Sequence, residues 1–209
     1  TKRGLREKTI DRFHLGFDPN YPLTNSHFMQ AAIIPRGDNA YTARNTFPNA
    51  DKENRYRKQG NTRNTFFNVK ALDANEPIFI VEGEFDALSI IEAGYEAIAL
   101  GSIENYMGFV EILKERNIKQ YLLISLDNDE AGENKSQEFL KALKLLNLKA
   151  SKVNISLEFK DANDALINAA ERFKDNLKNI LDDISKKEIE IDKLKSIKEV
   201  ILTFPINQW

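Results

Sequence analysis

Three clusters of acidic side chains carry the chemistry that this sequence can offer. They are the segment Glu82-Gly83-Glu84-Phe85-Asp86, the triplet Asp127-Asn128-Asp129 and the stretch that begins at Asp161. The chain has no cysteine and two histidines, which excludes disulfides, cysteine-ligated zinc and histidine-rich metal centres. Carboxylates without thiolates or imidazoles select a hard cation, so we expect Mg²⁺ or Mn²⁺. Mg²⁺ held in this way binds phosphate oxygens, which indicates phosphoryl-transfer chemistry.

The acidic clusters follow segments that we predict to be strands. Ile78–Val81 and Tyr121–Leu126 are short, continuous apolar runs, and Lys152–Ile155 precedes the third cluster. Helical segments separate these strands, and this alternation predicts parallel strands joined by right-handed crossovers. The carboxyl ends of parallel strands lie at one edge of the sheet. We therefore expect the acidic clusters to converge there around a cation, because like charges otherwise repel each other.

Each acidic cluster also has a structural interpretation. Asp86 falls in the first turn of a predicted helix, where a carboxylate suits the helix dipole, and Asp161 could simply start a helix. Glu84 is expected to be a solvated turn residue. The segment from Asp127 to Glu138 partly fits a calcium-binding EF-hand loop, although its fifth position is alanine and a strand is predicted where an EF-hand needs a helix.

The front of the chain has a net positive charge and the rest has a net negative charge. Residues 1–70 contain thirteen Lys and Arg against six Asp and Glu, whereas residues 71–209 contain seventeen against twenty-six. A basic front half predicts contact with an anionic polymer or nucleotide. Interleaved aromatic residues could stack on unpaired bases, but for Phe66 and Phe67 a place in the core is favoured. The basic candidates for nucleic-acid binding are Arg44, Arg55, Arg57, Lys58 and Arg63.

The order of the two main acidic motifs resembles a known domain. A strand followed by Glu82-Gly83-x-x-Asp86, and later a strand followed by Asp127-x-Asp129-x-x-Gly132, resembles the TOPRIM domain of topoisomerases, primases and certain nucleases. The resemblance covers about residues 77–165. It implies that Glu82 acts as a general acid/base or metal ligand and that Asp127 and Asp129 bind Mg²⁺, and these three are the expected catalytic residues. Asp86 and Asp161 match further acidic positions of the primase branch and complete the expected metal-ligand set.

The front of the chain narrows the resemblance to one branch of that family. The segment from Arg3-Gly4-Leu5 to Gly16-Phe17 is similar to the opening of the RNA polymerase core of bacterial replicative (DnaG-type) primases. This resemblance implies Mg²⁺-dependent synthesis of RNA primers from nucleoside triphosphates on single-stranded DNA, with the basic residues gripping the template. It also implies a cytoplasmic protein that works with a replicative helicase or a zinc-binding module outside this chain. The third acidic motif departs from the primase form, because Asn163 stands where a second aspartate is often found, with Asp164 beside it.

Two other functions stay open at this point. A TOPRIM-type nuclease or topoisomerase fragment would cleave strands rather than make RNA. A non-catalytic replication module would bind single-stranded DNA without Mg²⁺ and recruit a partner through its helical tail. The product of an assay with nucleoside triphosphates distinguishes the three functions.

We expect an α/β fold in three parts. These are a small, mixed, basic subdomain at residues 1–75, a Rossmann-like TOPRIM domain with a mainly parallel sheet at 76–165, and a helical tail at 166–209. In the first part, Ala31–Pro35 and Ala40–Ala43 predict a hairpin, whereas residues 18–27 and 44–68 are expected to be turns and loops.

The ends of the chain allow three further expectations. In the tail, Ile184, Ile191 and Leu194 recur at helical spacing, which predicts amphipathic helices packing on a surface of this chain or of missing sequence. No stretch approaches the roughly 20 apolar residues that cross a bilayer, so we expect no membrane contact. The first residue is Thr1 and no signal peptide follows, which suggests a piece of a longer protein.

Overall fold

The computed structural model describes residues 2–24, 27–47, 49–60, 65–126 and 130–203. Within these ranges, eight strands form two four-stranded sheets. The strands are β1 (Gly16–Pro22), β2 (Phe28–Pro35), β3 (Ala40–Asn45), β4 (Tyr56–Gly60), β5 (Ile78–Val81), β6 (Glu96–Ala99), β7 (Leu122–Ser125) and β8 (Ala150–Lys152). The α-helices are α1 (Glu7–Arg12), α2 (Glu84–Glu92), α3 (Tyr106–Lys114), α4 (Glu130–Leu145) and α5 (Ala162–Thr203), and 3₁₀ turns cover Lys52–Asn54, Val69–Asp73 and Ile103–Asn105. The α/β fold class expected from the sequence is confirmed.

The first sheet is antiparallel, with strand order β1-β2-β3-β4. Its central hairpin, β2–β3, was predicted and turns at Gly37, which has a φ of 106°. The two edge strands were not predicted. β1 contains Pro19, Asn20 and Pro22, and β4 is polar on both of its faces. Edge strands tolerate proline and need no apolar alternation, so neither strand carries the usual sequence signal.

The second sheet is parallel, with strand order β6-β5-β7-β8, as the alternation of strands and helices predicts. All four residues of its central strand β5 are buried, which explains the continuous apolar run there. Val81 at the end of β5 pairs with Ala99 of β6 and Ser125 of β7. The carboxyl ends of the three strands therefore lie in line at one edge of the sheet.

Helices cover both faces of the parallel sheet. Phe79 and Val81 of β5 point to one face, where they share a buried cluster with α2 and α5, including Phe173 and Leu177. The alternate residues of β5 point to the other face and pack with α3 and α4. Phe66 and Phe67 are 3 % and 1 % exposed, and each joins one of these two clusters. Their predicted core position is confirmed.

The tail forms α5, in which two helical segments meet at a kink where Ala169 has non-helical backbone angles. Phe173, Leu177 and Ile184 of this helix are buried in the core next to α2, so the tail packs on this chain as far as Ile184. Beyond that point Ile191 and Leu194 are at least half exposed. Among the described residues, no helix combines the length and apolar character of a membrane span.

A buried carboxylate fastens α1 to the end of α2. The side chain of Glu92 is 5 % exposed and accepts hydrogen bonds from Thr9 Oγ1 at 2.5 Å, from the backbone N–H of Arg6 at 3.1 Å and from Arg6 Nε. Burial raises the pKa of Glu92, but the hydrogen bonds from Thr9 and Arg6 outweigh burial, so this pKa lies below its ordinary value.

We expect Glu92→Gln to lower the free energy of unfolding by about 1–3 kcal/mol at neutral pH, because Thr9 and Arg6 lose a charged acceptor. Because the pKa of Glu92 is lower in the folded protein than its ordinary value of 4.5, ionised Glu92 stabilises the fold fully at pH values above 4.5. This stabilisation disappears as the pH falls through the lower pKa of the folded protein. Urea unfolding at pH 7 and at pH 3.5 measures both effects. The exposed Glu115→Gln is the matched control. An unchanged pH dependence in Glu92→Gln would contradict this role.

Candidate active site

A cleft of about 450 Å³ lies between the antiparallel sheet and the acidic edge of the parallel sheet. Four carboxylates of the described part of the chain line this cleft. We call three of them, Glu82, Asp86 and Asp161, the acidic wall, and the fourth, Glu84, is bonded to Thr42 and paired with Arg36. Three basic side chains on or next to the antiparallel sheet form the cationic wall: Arg44, Arg55 and Lys58. Arg3 also lines the cleft, beside Phe85 and Asn163. Opposite charges on facing walls suit a ligand that carries both phosphates and a divalent cation.

The first acidic cluster follows β5 directly. Glu82 is partly buried after the end of the strand, Gly83 precedes the first turn of α2, and Asp86 lies in that turn. A Cβ on Gly83 would come within 2.7 Å of Asp86 Oδ2, so the Asp86 carboxylate lies against the glycine. Asp86 Oδ1 also accepts a hydrogen bond from the backbone N–H of Asn163 at 3.3 Å. The helix start therefore orients Asp86 into the cleft.

The third acidic cluster starts α5. Asp161 Oδ1 accepts a hydrogen bond from the backbone N–H of Asp164 at 2.8 Å, which is a helix cap, and Asp161 also lines the cleft. Asn163 is 2 % exposed, and its side-chain amide donates to Ser89 Oγ and to the backbone carbonyl of Arg3. Asn163 thus ties the N-terminal segment to α2, whereas Asp164 is exposed outside the cleft.

The second acidic cluster, Asp127 and Asp129, lies outside the described residues. The residue before it, Leu126, lines a small cavity of about 10 Å³ together with Asp86 and Asp161. β7 ends at Ser125, so a strand occupies the place where an EF-hand loop needs a helix. In the described part of the chain, no three acidic or histidine side chains form a metal-binding group. The oxygen donors of the acidic wall nevertheless have the chemistry that Mg²⁺ requires.

Glu84 is not the solvated turn residue that the sequence suggested. It is 9 % exposed and accepts a hydrogen bond from Thr42 Oγ1 of β3 at 2.7 Å. Its Oε1 also lies 3.6 Å from Nε of Arg36, whose side chain is fully buried. Glu84 therefore joins the start of α2 to the antiparallel sheet, at the lining of the cleft.

The basic candidates divide according to the pleat of the antiparallel sheet. Arg44 of β3 and Lys58 of β4 point into the cleft, with Arg55 beside them. Arg57 points to the opposite face of β4, where its guanidinium bonds the Glu53 carbonyl, and it does not line the cleft. The sequence could not separate these residues because β4 was expected to be a loop. Arg63 lies outside the described residues.

The cationic wall is a cluster of like charges. Burial lowers the pKa of Arg44, and the positive charges of Arg3 and Arg55 lower it further. Burial, followed by the charge of Arg36, similarly lowers the pKa of Lys58, against the opposing charges of Glu84 and Glu82. Like charges held together in this way favour a bound anion.

Arg3 and Tyr56 also belong to the cleft. Arg3 comes from the N-terminal segment, lies over the Phe85 ring at 4.7 Å and donates to Asn163 Oδ1 at 2.8 Å. The sequence contained Arg3 in the motif that resembles primases, but nothing marked it as a cleft residue. Tyr56 is 47 % exposed, and Lys58 Nζ lies over its ring at 5.5 Å from the centroid.

Comparisons with known proteins bear on the fold of the chain. Residues 79–166 match the family model described as Toprim-like. No curated protein matches the chain in sequence. Among solved structures, the primase fragment of the bacteriophage T7 primase-helicase protein is 18 % identical, with a TM-score of 0.63 over 82 % of this chain and 69 % of that one.

Two further structures have the same architecture. The Aquifex aeolicus primase, with its zinc-binding and RNA polymerase domains, is 18 % identical, with a TM-score of 0.65 over 87 % of this chain. The present chain spans 53 % of that protein's chain. The third is a chain in the structure of bacteriophage T7 lagging-strand DNA polymerase with primase domains of two gp4 subunits bound to an RNA/DNA hybrid and dTTP. It is 18 % identical, with a TM-score of 0.63 over 86 % of this chain and 87 % of that one. Residues 79–166 therefore match the Toprim-like family model, and the chain as a whole has a fold similar to that of these primase fragments.

Proposed function

We propose that this chain is the catalytic core of a primase, which joins ribonucleotides on a single-stranded DNA template in a reaction that depends on Mg²⁺. The observation that carries the proposal is the cleft whose acidic wall faces its cationic wall. The T7 structure with an RNA/DNA hybrid and dTTP supports the proposal, because a chain of that structure shares this fold.

The acidic wall would hold the divalent cation. Glu82, Asp86 and Asp161, which line the cleft, would supply oxygen ligands, and Asp127 and Asp129 are the further ligands that we propose from the sequence. Bound Mg²⁺, or Mn²⁺ in its place, would neutralise charge on the triphosphate as it reacts. Glu82 would also be placed to accept the proton of the attacking hydroxyl.

In the proposed reaction, the 3′-hydroxyl oxygen forms a bond to the α-phosphorus of the incoming nucleotide. The bond between that phosphorus and the bridging oxygen breaks, and pyrophosphate leaves with its electron pair. This displacement needs no side-chain nucleophile, so the protein contributes mainly by positioning the reactants and by balancing their charge.

The cationic wall would bind the nucleic-acid backbone. Arg44 and Arg55 would donate to phosphate oxygens, and Tyr56, which lines the same cleft, would stack on an unpaired base. Arg57 is on the other face of the sheet, so we assign it no contact with the template inside the cleft. A zinc-binding module or a helicase would act from outside this chain.

The decisive experiment incubates the protein with single-stranded DNA, labelled ribonucleoside triphosphates and Mg²⁺, and separates the products by size. We expect short RNA products from the wild type and none from Asp127→Ala. The variant should unfold at the same temperature as the wild type, because it changes a proposed ligand rather than the core.

Other products would overturn this function. Shortened DNA strands would indicate a TOPRIM-type nuclease or topoisomerase fragment. DNA binding that survives both removal of Mg²⁺ and the Asp127→Ala change, with no new RNA from the wild type, would indicate a non-catalytic replication module. Full activity of Asp127→Ala would show that this aspartate is not a ligand.

A further inference from the structure

Two basic residues of the antiparallel sheet hold the turn that follows β6. Lys58 Nζ donates to the backbone carbonyl of Gly101 at 2.6 Å, and Arg36 Nη2 donates to the carbonyl of Leu100 at 3.4 Å. Gly101 has a φ of +73°, and a Cβ at this position would come within 2.6 Å of the Arg36 guanidinium. The turn therefore packs directly on Arg36, and only glycine fits there.

The same turn is bonded to the acidic wall. The backbone N–H of Gly101 donates to the carbonyl of Glu82 at 2.8 Å, and the N–H of Leu100 donates to the carbonyl of Val81 at 2.9 Å. Gly101 is thus held by Lys58 at its carbonyl and holds Glu82 at its amide. A continuous chain of hydrogen bonds runs from β4 to the backbone of Glu82.

Arg36 also contacts Glu84, which lies between two residues of the acidic wall in sequence. Its Nε lies 3.6 Å from Glu84 Oε1, the atom that also accepts the hydrogen bond from Thr42. Glu84 stands two residues from both Glu82 and Asp86, at the start of α2. Nε and Nη1 of Arg36 have no hydrogen-bond partner among the described residues. Its Nη2 also donates to the backbone carbonyl of Thr65, so the contacts of Arg36 join Glu84, Thr65 and Leu100.

We propose that Lys58 and Arg36 are positioning residues, which hold the turn at Leu100–Gly101 and Glu84 and thereby place Glu82 in the cleft. This inference rests on the proposed function for its effect on catalysis. It gives Lys58 a role different from that of Arg44 and Arg55. Arg36 lies beneath the cleft and does not line it, so it cannot act as a phosphate ligand there.

The first test is structural and needs no activity. In Lys58→Met, the amides of Leu100 and Gly101 should exchange with deuterium about tenfold faster or more, because the turn loses its hydrogen bond from Lys58. A tenfold faster exchange corresponds to a loss of about 1.4 kcal/mol in the free energy of local opening. The matched control is Lys114→Met, which removes an exposed lysine from α3. Unchanged exchange at these two amides in Lys58→Met would overturn the proposal, whether or not the wild type makes primers.

The second test is kinetic. In Lys58→Met, the displacement of Glu82 should lower kcat at saturating template by about 10- to 100-fold. The KM for template should change less than about threefold. Lys58→Arg keeps a donor for the Gly101 carbonyl and should recover most of the rate. Arg36→Lys, which keeps the buried charge but loses the forked guanidinium, should show the same loss of kcat as Lys58→Met.

The opposite kinetic result identifies a phosphate ligand. A raised KM with an unchanged kcat in Lys58→Met, together with a weaker salt dependence of DNA binding, would overturn the positioning role while leaving the proposed function intact. A wild type that makes no primers would instead overturn the proposed function, and the exchange experiment would then decide the positioning role by itself.

Discussion

Primer synthesis should fall by at least about 100-fold when Glu82 is replaced by glutamine, since a general base or a metal-held charge contributes on that scale. Glutamine keeps the size of the side chain and removes its charge. The loss should appear in kcat and persist at saturating nucleotide and template. Steady-state primer synthesis at several Mg²⁺ concentrations measures it.

Glu76→Gln is the matched control for this prediction. Glu76 is exposed and precedes β5, at the amino end of the strand whose carboxyl end leads to Glu82. Both substitutions remove one negative charge from residues flanking the same strand. Equal loss of activity in the two variants, or none in Glu82→Gln, would contradict the assignment of the acidic wall as the catalytic edge.

Replacing Arg44 by alanine should weaken binding of single-stranded DNA by about tenfold or more, because a charge-assisted hydrogen bond to phosphate is worth about 1.5–3 kcal/mol. The slope of log affinity against log salt should also fall by about 0.7, the value for one phosphate on a single strand. Fluorescence anisotropy of a labelled oligonucleotide at several salt concentrations measures both quantities.

The Arg44→Ala variant should bind DNA more weakly but should be at least as stable as the wild type. Arg44 lies partly buried beside the positive charges of Arg3 and Arg55, so its removal relieves repulsion in the free protein. We expect a melting temperature equal to or above that of the wild type.

Arg57→Ala is the control for the loss of DNA affinity, because Arg57 comes from the same basic stretch but points to the opposite face. A larger loss of DNA affinity in Arg57→Ala would contradict the proposed interface.

The parallel sheet was predictable because its signal is local. β5 is a run of four buried apolar residues, and the acidic residues follow such runs directly. The edge strands β1 and β4 carried no such signal, since the pairing of an edge strand rests on backbone hydrogen bonds to a neighbour that is distant in sequence. The start of α5 at Ala162 was predictable for the same reason as the sheet: a local cap at Asp161.

The candidate site was predictable in part. The position of Glu82 after a strand indicated a site residue, and the resemblance to primases added Asp86 and Asp161. All three line one cleft. The separation of Arg57 from Arg44 required the pleat of β4, which the sequence did not reveal. The buried places of Glu84 and Asn163 required partners more than 40 residues away along the chain.

The residue types and their local spacing determined that this protein has a parallel sheet with carboxylates at its edge and no sulfur or histidine chemistry. The tertiary structure alone decided which cations face those carboxylates, and that Lys58 is bonded to the turn beside Glu82. The physical reason is that hydrophobic periodicity and the spacing of charged residues describe only residues that are close together in sequence. The two walls of the cleft, in contrast, are brought together by packing between two sheets, and no local pattern records it.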